Sequence, residues 1–456
     1  MNNETIAAIS TPYGRGGIAV IRISGPDTVD IAAKMFAPAG GKRVRELASN
    51  SVTYGNILSG GETVDDGMLT LFRAPHSYTG EDTAEISCHG GVLVSGAVLQ
   101  AAYEAGASPA GPGEFTKRAF MNGKLSLSSA EAVINIIDAE SKESLRLARA
   151  NASGALSRRI DEIYETLTGI AAEAYVYADY PDEDLTDISV PEMKRRLSEA
   201  RDSLMSLYDS YKAGHAIGEG IYTVILGKPN SGKSSLLNRL LGRERAIVSD
   251  VEGTTRDFIE ESVPVGSIIL RLCDTAGIRK SDDRIEKLGI ERSYEALYKA
   301  ELVYAVFDGS REATDEDIEM ISKLGNTVCR KIAVINKCDL ETVFDADLSS
   351  FDFVIKMSAK QGIGVSELCE KTEKLFVDGK IDYDSSPLIA NARQAAAVKR
   401  SADAVARAVD ALEAGYTQDI AGLDIEDAMS ALAETDGRAV GADIVDNIFH
   451  NFCVGK

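Results

Sequence analysis

Positive charge is scarce in this chain. Lys and Arg number 49 against 71 Asp and Glu, a formal net charge of −22 over 456 residues. That balance argues against a broad polycationic surface for nucleic acid, so any RNA contact is local or shared with a partner. The six cysteines, at 88, 273, 329, 338, 369 and 453, form no C-x-x-C pair; neither a zinc site nor a disulfide framework is suggested. No apolar run approaches the ~18 residues of a membrane span. The start, Met1-Asn2-Asn3-Glu4-Thr5, lacks a basic signal segment. A reduced, soluble, cytoplasmic protein without membrane attachment is expected. Apolar residues make up 44%, enough for ordinary cores, and the length suggests about three domains.

What is present centres on Gly227-Lys228-Pro229-Asn230-Ser231-Gly232-Lys233-Ser234. A β-branched apolar run, Ile221–Leu226, precedes it. Ser235-Leu236-Leu237-Asn238-Arg239-Leu240-Leu241, with helical apolar spacing, follows. Strand, glycine loop and helix are the context that G-x-x-x-x-G-K-[ST] requires. Backbone N–H groups from Asn230 to Ser235 can wrap a phosphate, aided by the helix N-terminus. Lys233 is expected to reach the β- and γ-phosphates, and the Ser234 hydroxyl to ligate Mg²⁺.

Three further motifs follow in order. Asp274-Thr275-Ala276-Gly277 suits a magnesium shell and a γ-phosphate contact. Asn336-Lys337-Cys338-Asp339 reads guanine, because Asp339 can accept from the ring N–H and the exocyclic amine, donors that adenine does not offer in that arrangement. Ser358-Ala359-Lys360 completes the base pocket. The expected ligand is therefore GTP. Ile278 follows Gly277, where a Ras-like GTPase has a water-orienting Gln, so another polar group must serve. Glu286 is one candidate; the alternative is an ordinary Glu on a helix surface. No internal arginine finger is evident, although Arg256 can be proposed. A monovalent cation held by Asn230 and the loop Ser249–Thr254 would supply the missing charge, and closing that loop points to a second nucleotide domain.

Residues 1–118 read as α+β, with strands at 18–23, 67–72 and 83–88 and a helix near 92–105. Gly14-Arg15-Gly16-Gly17 is either an anion site or a turn. From 119 the pattern turns helical. Leu156, Ile160, Ile163, Leu167, Ile170 and Ala174 alternate spacings of four and three, as do Met193, Leu197, Ala200, Leu204, Leu207 and Tyr211, and Val398, Ala402, Val405, Val409 and Leu412. Such seams imply a bundle. Ser189-Val190-Pro191-Glu192 has capping-box spacing, and the acidic stretch Tyr180–Asp184 reads as a solvated break. The expected fold is multidomain: an α+β N-terminal domain, a discontinuous helical bundle from 119–215 and 380–456, and an inserted α/β P-loop domain at 216–379. Gly214, Gly218-Glu219-Gly220 and Asp382–Pro387 are the expected hinges.

Pro12-Tyr13-Gly14-Arg15-Gly16-Gly17, Ile21–Gly25, Gly80-Glu81-Asp82, His89-Gly90-Gly91, Pro112–Phe120, Gly253-Thr254-Thr255-Arg256-Asp257 and Phe452-Cys453-Val454-Gly455-Lys456, together with the phosphate loop, resemble the MnmE (TrmE) family of bacterial tRNA-modification GTPases over essentially the whole chain. The resemblance implies an N-terminal domain that dimerises and binds a one-carbon tetrahydrofolate, 5-formyl or 5,10-methylene. Arg22, Glu85 and Lys124 match its folate positions, with Lys456 as a further candidate. It implies potassium ligands at Asn230, Ser249 (where Thr is usual), Val251 and Thr254, magnesium ligands at Ser234 and Thr255, and Glu286 as the catalytic carboxylate. The implied reaction adds an aminomethyl or carboxymethylaminomethyl group to C5 of the wobble uridine of certain tRNAs. It proceeds with MnmG (GidA), a partner that brings FAD and NADH, in a heterotetramer or larger complex. This chain lacks a flavin fingerprint of its own. Cys453 is either a catalytic thiol or a small buried apolar residue. Three other readings compete: a ribosome-assembly GTPase resembling Era or Der, which should carry a basic RNA-binding domain; a folate-dependent aminomethyltransferase regulated by GTP; and a scaffold GTPase that never touches folate.

Overall fold

The structure, a computed structural model, describes residues 4–179, 189–242, 261–272, 297–377, 379 and 387–456. It divides into two compact units, Met1–Ile134 with Ala433–Lys456, and Asn135–Leu432.

In the first unit, strands β1 (Ile6–Ile9), β2 (Ile18–Ser24), β3 (Phe36–Pro38), β4 (Val52–Ser59), β5 (Glu62–Phe72), β6 (Thr83–His89) and β7 (Ser108–Pro109) form one sheet in the order β3-β4-β5-β6-β2-β1-β7. All pairings are antiparallel except β1 with β7. Alternation in β2 buries Ile21 and Ile23 while Arg22 stays half-buried between them, as period-two side-chain direction requires. Helices α1 (Thr28–Met35) and α2 (Val92–Ala105) supply Ile31, Ala32, Met35, Val98 and Ala102 to the same core. Gly16 N–H donates to Gly90 O at 2.8 Å and Gly90 N–H to Gly17 O at 3.2 Å, so the glycine stretch at 14–17 works as a braced turn. Two further helices are α3 (Glu114–Met121) and α4 (Leu127–Ile137). Near the end of the chain, Val445, Phe449 and Phe452 pack with Leu127 and Ala130.

In the second unit, α5 (Lys142–Ala152), α6 (Ala155–Asp179), α7 (Val190–Asp209) and α8 (Tyr211–Gly218) precede a second sheet. That sheet comprises β8 (Ile221–Gly227), β9 (Glu261–Val265), β10 (Ile268–Leu272), β11 (Leu302–Asp308), β12 (Arg330–Asn336) and β13 (Phe353–Lys356), in the order β13-β12-β11-β8-β10-β9. All are parallel but β9. The strands read as continuous apolar runs because both faces are covered. Ile225, Tyr304 and Val334 face one core, and Val224, Ala305 and Ile335 the other. Helices α9 (Lys233–Leu241), α10 (Asp315–Gly325) and α11 (Val365–Phe376) belong to this part. Helices α12 (Ala392–Glu413), α13 (Gln418–Asp436) and α14 (Ala442–His450) complete the described chain.

The three seams meet in one core with Ala421, Ile425, Ala428 and Leu432; Tyr211 is only partly buried at its edge. Two local expectations fail. Ser189 makes no side-chain cap bond: the Glu192 N–H donates to the Ser189 carbonyl at 2.8 Å, and the Glu192 carboxylate, the other half of the box, pairs with Arg195 at 2.6 Å. Gly214 is no flexible joint: it lies inside α8, where a Cβ would come within 2.0 Å of Ile389 O. Its role is close packing of the helix against the chain at 388–390. The acidic break Tyr180–Asp184 and the joint at Asp382–Ser386 lie outside the described residues.

Candidate functional site

The phosphate loop follows β8, the strand that pairs with β10 on one side and β11 on the other. Chain order reverses there, which opens a ligand crevice at the strands' carboxyl ends. Backbone geometry builds the loop. Gly227, Asn230 and Gly232 all have positive φ, at 157°, 62° and 103°, and Gly232 caps α9 in the left-handed conformation. A Cβ at Gly232 would lie 1.9 Å from Asn336 Nδ2, so only glycine fits. Lys233 Nζ donates to Gly227 O at 2.7 Å and Lys228 O at 2.8 Å. Asn230, Ser234 and Ser235 are exposed at the mouth.

Asn336 locks this loop to the base loop. Its Nδ2 donates to Ser231 O at 2.8 Å, and its Oδ1 accepts from Ala359 N at 2.9 Å. Lys337 has φ 67°, and its ammonium lies 2.6 Å from Asp308 Oδ2. Burial pushes the Asp308 carboxyl up, but Lys337, Ser310 and Arg311 outweigh it and hold the group well below the usual carboxylate range. Cys338 N–H donates to Met357 O at 3.0 Å, and Gln361 N–H to the Ser358 hydroxyl at 3.2 Å. Arg239, on the phosphate-loop helix, donates to Ala359 O at 3.1 Å and Lys360 O at 2.7 Å. Asp339 is exposed beside this framework, as is Lys360, while Ser358 and Ala359 are buried.

The described part of the site suits a nucleotide. Ser231 is 2% exposed, and its Oγ has no hydrogen-bond partner among the described residues. Leaving such a group unpaired costs about 1–3 kcal/mol, which a phosphate oxygen would relieve. Ser249, Val251, Thr254, Thr255, Asp274, Thr275, Ala276, Gly277 and Glu286, with Arg256 and Ile278, lie outside the described residues.

A second constellation sits in the first unit. Arg22 and Glu85 are register partners on β2 and β6. Arg22 Nε donates to Glu85 Oε1 at 3.0 Å, and Nη2 lies 2.9 Å from the same oxygen. The guanidinium lies 5.5 Å from the ring centroids of both Tyr78 and Phe115, within cation–π range. Phe115 N–H donates to Lys456 O at 3.1 Å, and the Ser10 hydroxyl to Gly455 O at 2.9 Å. Gly455 has φ 97°, with Ile9 O 2.2 Å from where a Cβ would stand. The tail is thus stitched to the Arg22 neighbourhood. Lys124 Nζ donates to Pro75 O at 3.0 Å, on the loop that carries Tyr78. Cation, carboxylate and flanking ring faces suit a flat heterocycle bearing carboxylates. Cys453 is exposed whereas Phe452 is 6% exposed, so burial does not explain the thiol.

Sequence reasoning missed Tyr78, Phe115, Asp308 and Arg239. Asp308 closes an apolar strand run just before Gly309, the usual position of a loop-facing polar residue. The other three carry no local signal of their partner.

A family described as "MnmE helical domain" matches residues 127–453, and one described as "GTP-binding protein TrmE N-terminus" matches residues 5–124. The chain is 40% identical to the tRNA modification GTPase MnmE of Clostridioides difficile (strain 630), over 100% of this chain and 99% of that one. It is 40% identical to that of Moorella thermoacetica, over the whole of both chains. The value is 38% for Acetivibrio thermocellus, over 99% of each. Among solved structures, a variant of Aquifex aeolicus Era bound to GDP·AlF4⁻ covers 40% of this chain and 66% of its own, at 25% identity and TM-score 0.26.

Proposed function

This chain belongs to the MnmE family of tRNA modification GTPases, and from that premise we propose that it is a potassium-activated, dimerisation-dependent member using a one-carbon tetrahydrofolate. It is an enzyme, a GTPase of tRNA modification. The proposed chemistry is addition of an aminomethyl or carboxymethylaminomethyl group at C5 of the wobble uridine, together with the flavin-dependent MnmG, which brings FAD and NADH. The proposed domains are 1–118, 119–215 with 380–456, and a nucleotide domain inserted at 216–379; the proposed compartment is the cytoplasm. No helix among the described residues is long and apolar enough to cross a membrane.

The observation that carries the GTP reading is the Asn336 side chain, which joins Ser231 of the phosphate loop to Ala359 of the base loop. In our reading, Lys233 exchanges its two carbonyl partners for phosphate oxygens, Asp339 accepts from guanine, and Asp274 to Gly277 face the γ-phosphate. Ser234 and Thr255 would hold magnesium. Asn230, Ser249, Val251 and Thr254 would hold potassium. Glu286 would orient the attacking water. When bound, the two cations supply positive charge against the phosphoryl group, the task an arginine finger performs elsewhere. Arg22 and Glu85, with Lys124 and Lys456, would hold the folate.

GTP turnover measured in potassium and in sodium tests this. Potassium should stimulate strongly, and Asn230→Ala should abolish the stimulation while leaving magnesium-dependent nucleotide binding. Equal turnover of the wild type in the two salts would sink the potassium reading.

A further inference from the structure

A chain of net charge −22 that serves RNA must concentrate its positive charge somewhere, and α5 does so. Between residues 142 and 159 there are five basic side chains and one acidic. Helix α5 buries Ser144, Leu147, Ala148 and Asn151. At 3.6 residues per turn, Lys142, Arg146 and Arg149 fall within an arc of about 60° on the opposite side. All three are exposed. Lys142 and Arg149 have no ion pair among the described residues, and Arg146, with a side chain 67% exposed, has only Glu143 at 3.9 Å. The helix ends at Ala152, and its C-cap Ser153 lies on the same face. Gly154, at φ 81°, turns the chain, and Arg158 Nη1 donates back to Ser153 O at 2.8 Å. That guanidinium extends the row beyond the end of α5.

Helix electrostatics do not account for the row. Cations near a helix C-terminus are favourable, which suits Arg149 and Arg158, but Lys142 stands in the first turn, where positive charge is opposed. Nor does the face resemble a protein interface. Such interfaces centre on buried aromatic or aliphatic anchors, and here only Leu145, 39% exposed, is apolar. A linear array of guanidinium and ammonium groups over about 10 Å matches a run of phosphates, which Arg pairs bidentately.

We propose that Lys142, Arg146, Arg149 and Arg158 dock the phosphate backbone of tRNA. The proposal rests on the reading of this chain as acting on tRNA and adds where the RNA is held. The inner side of α5 makes the position consequential. Leu147 enters the core shared with β8 and β10, and Asn151 Nδ2 donates to Leu388 O at 3.2 Å. RNA held on this face would therefore rest on a helix packed against the nucleotide sheet.

The test is a titration of the full chain with a transcribed tRNA bearing a wobble uridine, over a series of KCl concentrations. The variants are wild type, the triple Lys142→Gln/Arg146→Gln/Arg149→Gln, and Arg146→Gln alone. Gln keeps helix propensity. The triple variant should bind at least ~10-fold more weakly near 0.1 M salt. Its slope of log K against log salt should flatten by about 2–3, from ~0.7–0.9 per lost phosphate contact. GTP turnover and melting should match wild type. Should the triple variant fail to fold, Arg146→Gln should still flatten the slope by about 0.7–0.9. Equal affinity and slope in wild type and folded variants overturn the docking face alone. A wild type that binds no tRNA overturns the tRNA reading itself. Retained tRNA binding with lost association to the flavin-dependent partner assigns the face to a protein and overturns the RNA proposal. Displacement of tRNA by polyglutamate as readily, charge for charge, as by unlabelled tRNA also overturns it.

Discussion

The phosphate loop and the Arg22 pocket hold polar groups by opposite means. The loop is made of consecutive backbone units, bent by three residues at positive φ and fixed by one side chain, Asn336. The pocket is made of side chains from distant stretches: Arg22 and Glu85 on neighbouring strands, Tyr78 and Phe115 from flanking segments, and a tail carbonyl from Lys456. A backbone cradle needs particular residues at fixed sequence spacing, because φ and close approach are local demands. A side-chain pocket needs only that the fold bring its members together, so its spacing carries no message.

The comparison can be broken at either end. The largest effect is expected from Gly232→Ala. The new Cβ would collide with Asn336 Nδ2 and force a residue at φ 103°, a strain of about 1–3 kcal/mol before the Asn336 bridge is lost. Affinity for a fluorescent GTP analogue should fall ~100-fold, while folate binding stays unchanged. An unaltered nucleotide affinity would show that the cradle is not rigid.

The converse change is Arg22→Ala. It should weaken 5-formyltetrahydrofolate binding by about 10-fold or more, since it strands the Glu85 carboxylate and removes the cation between two rings. GTP turnover should stay near wild type. Equal folate affinity by calorimetry would remove the pocket from the account.

A smaller effect is expected at the base of the nucleotide sheet. His215 on α8 lies 3.0 Å from Glu219 Oε2 through Nδ1 and 3.0 Å from Glu301 Oε1 through Nε2. Burial pushes the imidazole pKa down, but the two carboxylates outweigh it and lift it to about 9. A pKa raised above its unfolded value adds stability that is complete below about pH 6.5 and lost as pH rises through about 9. His215→Gln should therefore melt a few degrees lower than wild type at pH 6, and the two should converge above pH 9. A constant gap across that range would contradict the ion-pair reading.

Cys453→Ala should change stability least, within about 0.5 kcal/mol, as expected of an exposed side chain. A fall in tRNA modification by that variant at unchanged melting temperature would favour chemistry at the thiol; normal modification would dismiss it.

The same contrast explains what was legible beforehand. The strand–loop–helix around Gly227–Ser234 and all three helical seams follow local rules of spacing, and each has its counterpart in the fold; of the Asn336–Asp339 motif the fold shows the Asn336 bridge from Ser231 to Ala359. Helix α13 adds Ala421, Ile425, Ala428 and Leu432 to the bundle core; the spacing is that of the other seams, but two of its four members are alanines, whose apolar signal is weak. The helix starts where the Ser189 spacing says, but its box does not close: the Glu192 N–H goes to the Ser189 carbonyl and the Glu192 carboxylate to Arg195, a competition between neighbours that a motif does not encode. The Arg22 pocket became visible in sequence only through resemblance to a family, and its rings Tyr78 and Phe115 only through the fold.

The central claim is that the two sites serve one reaction on tRNA. Mass spectrometry of tRNA nucleosides from a strain lacking this gene, complemented with the wild-type chain, Gly232→Ala or Arg22→Ala, tests it most directly. The account predicts that wild type restores the C5-modified wobble uridine and that each variant fails, one for loss of nucleotide and one for loss of folate. Full modification by Arg22→Ala, with its folate binding shown to be lost, would contradict it.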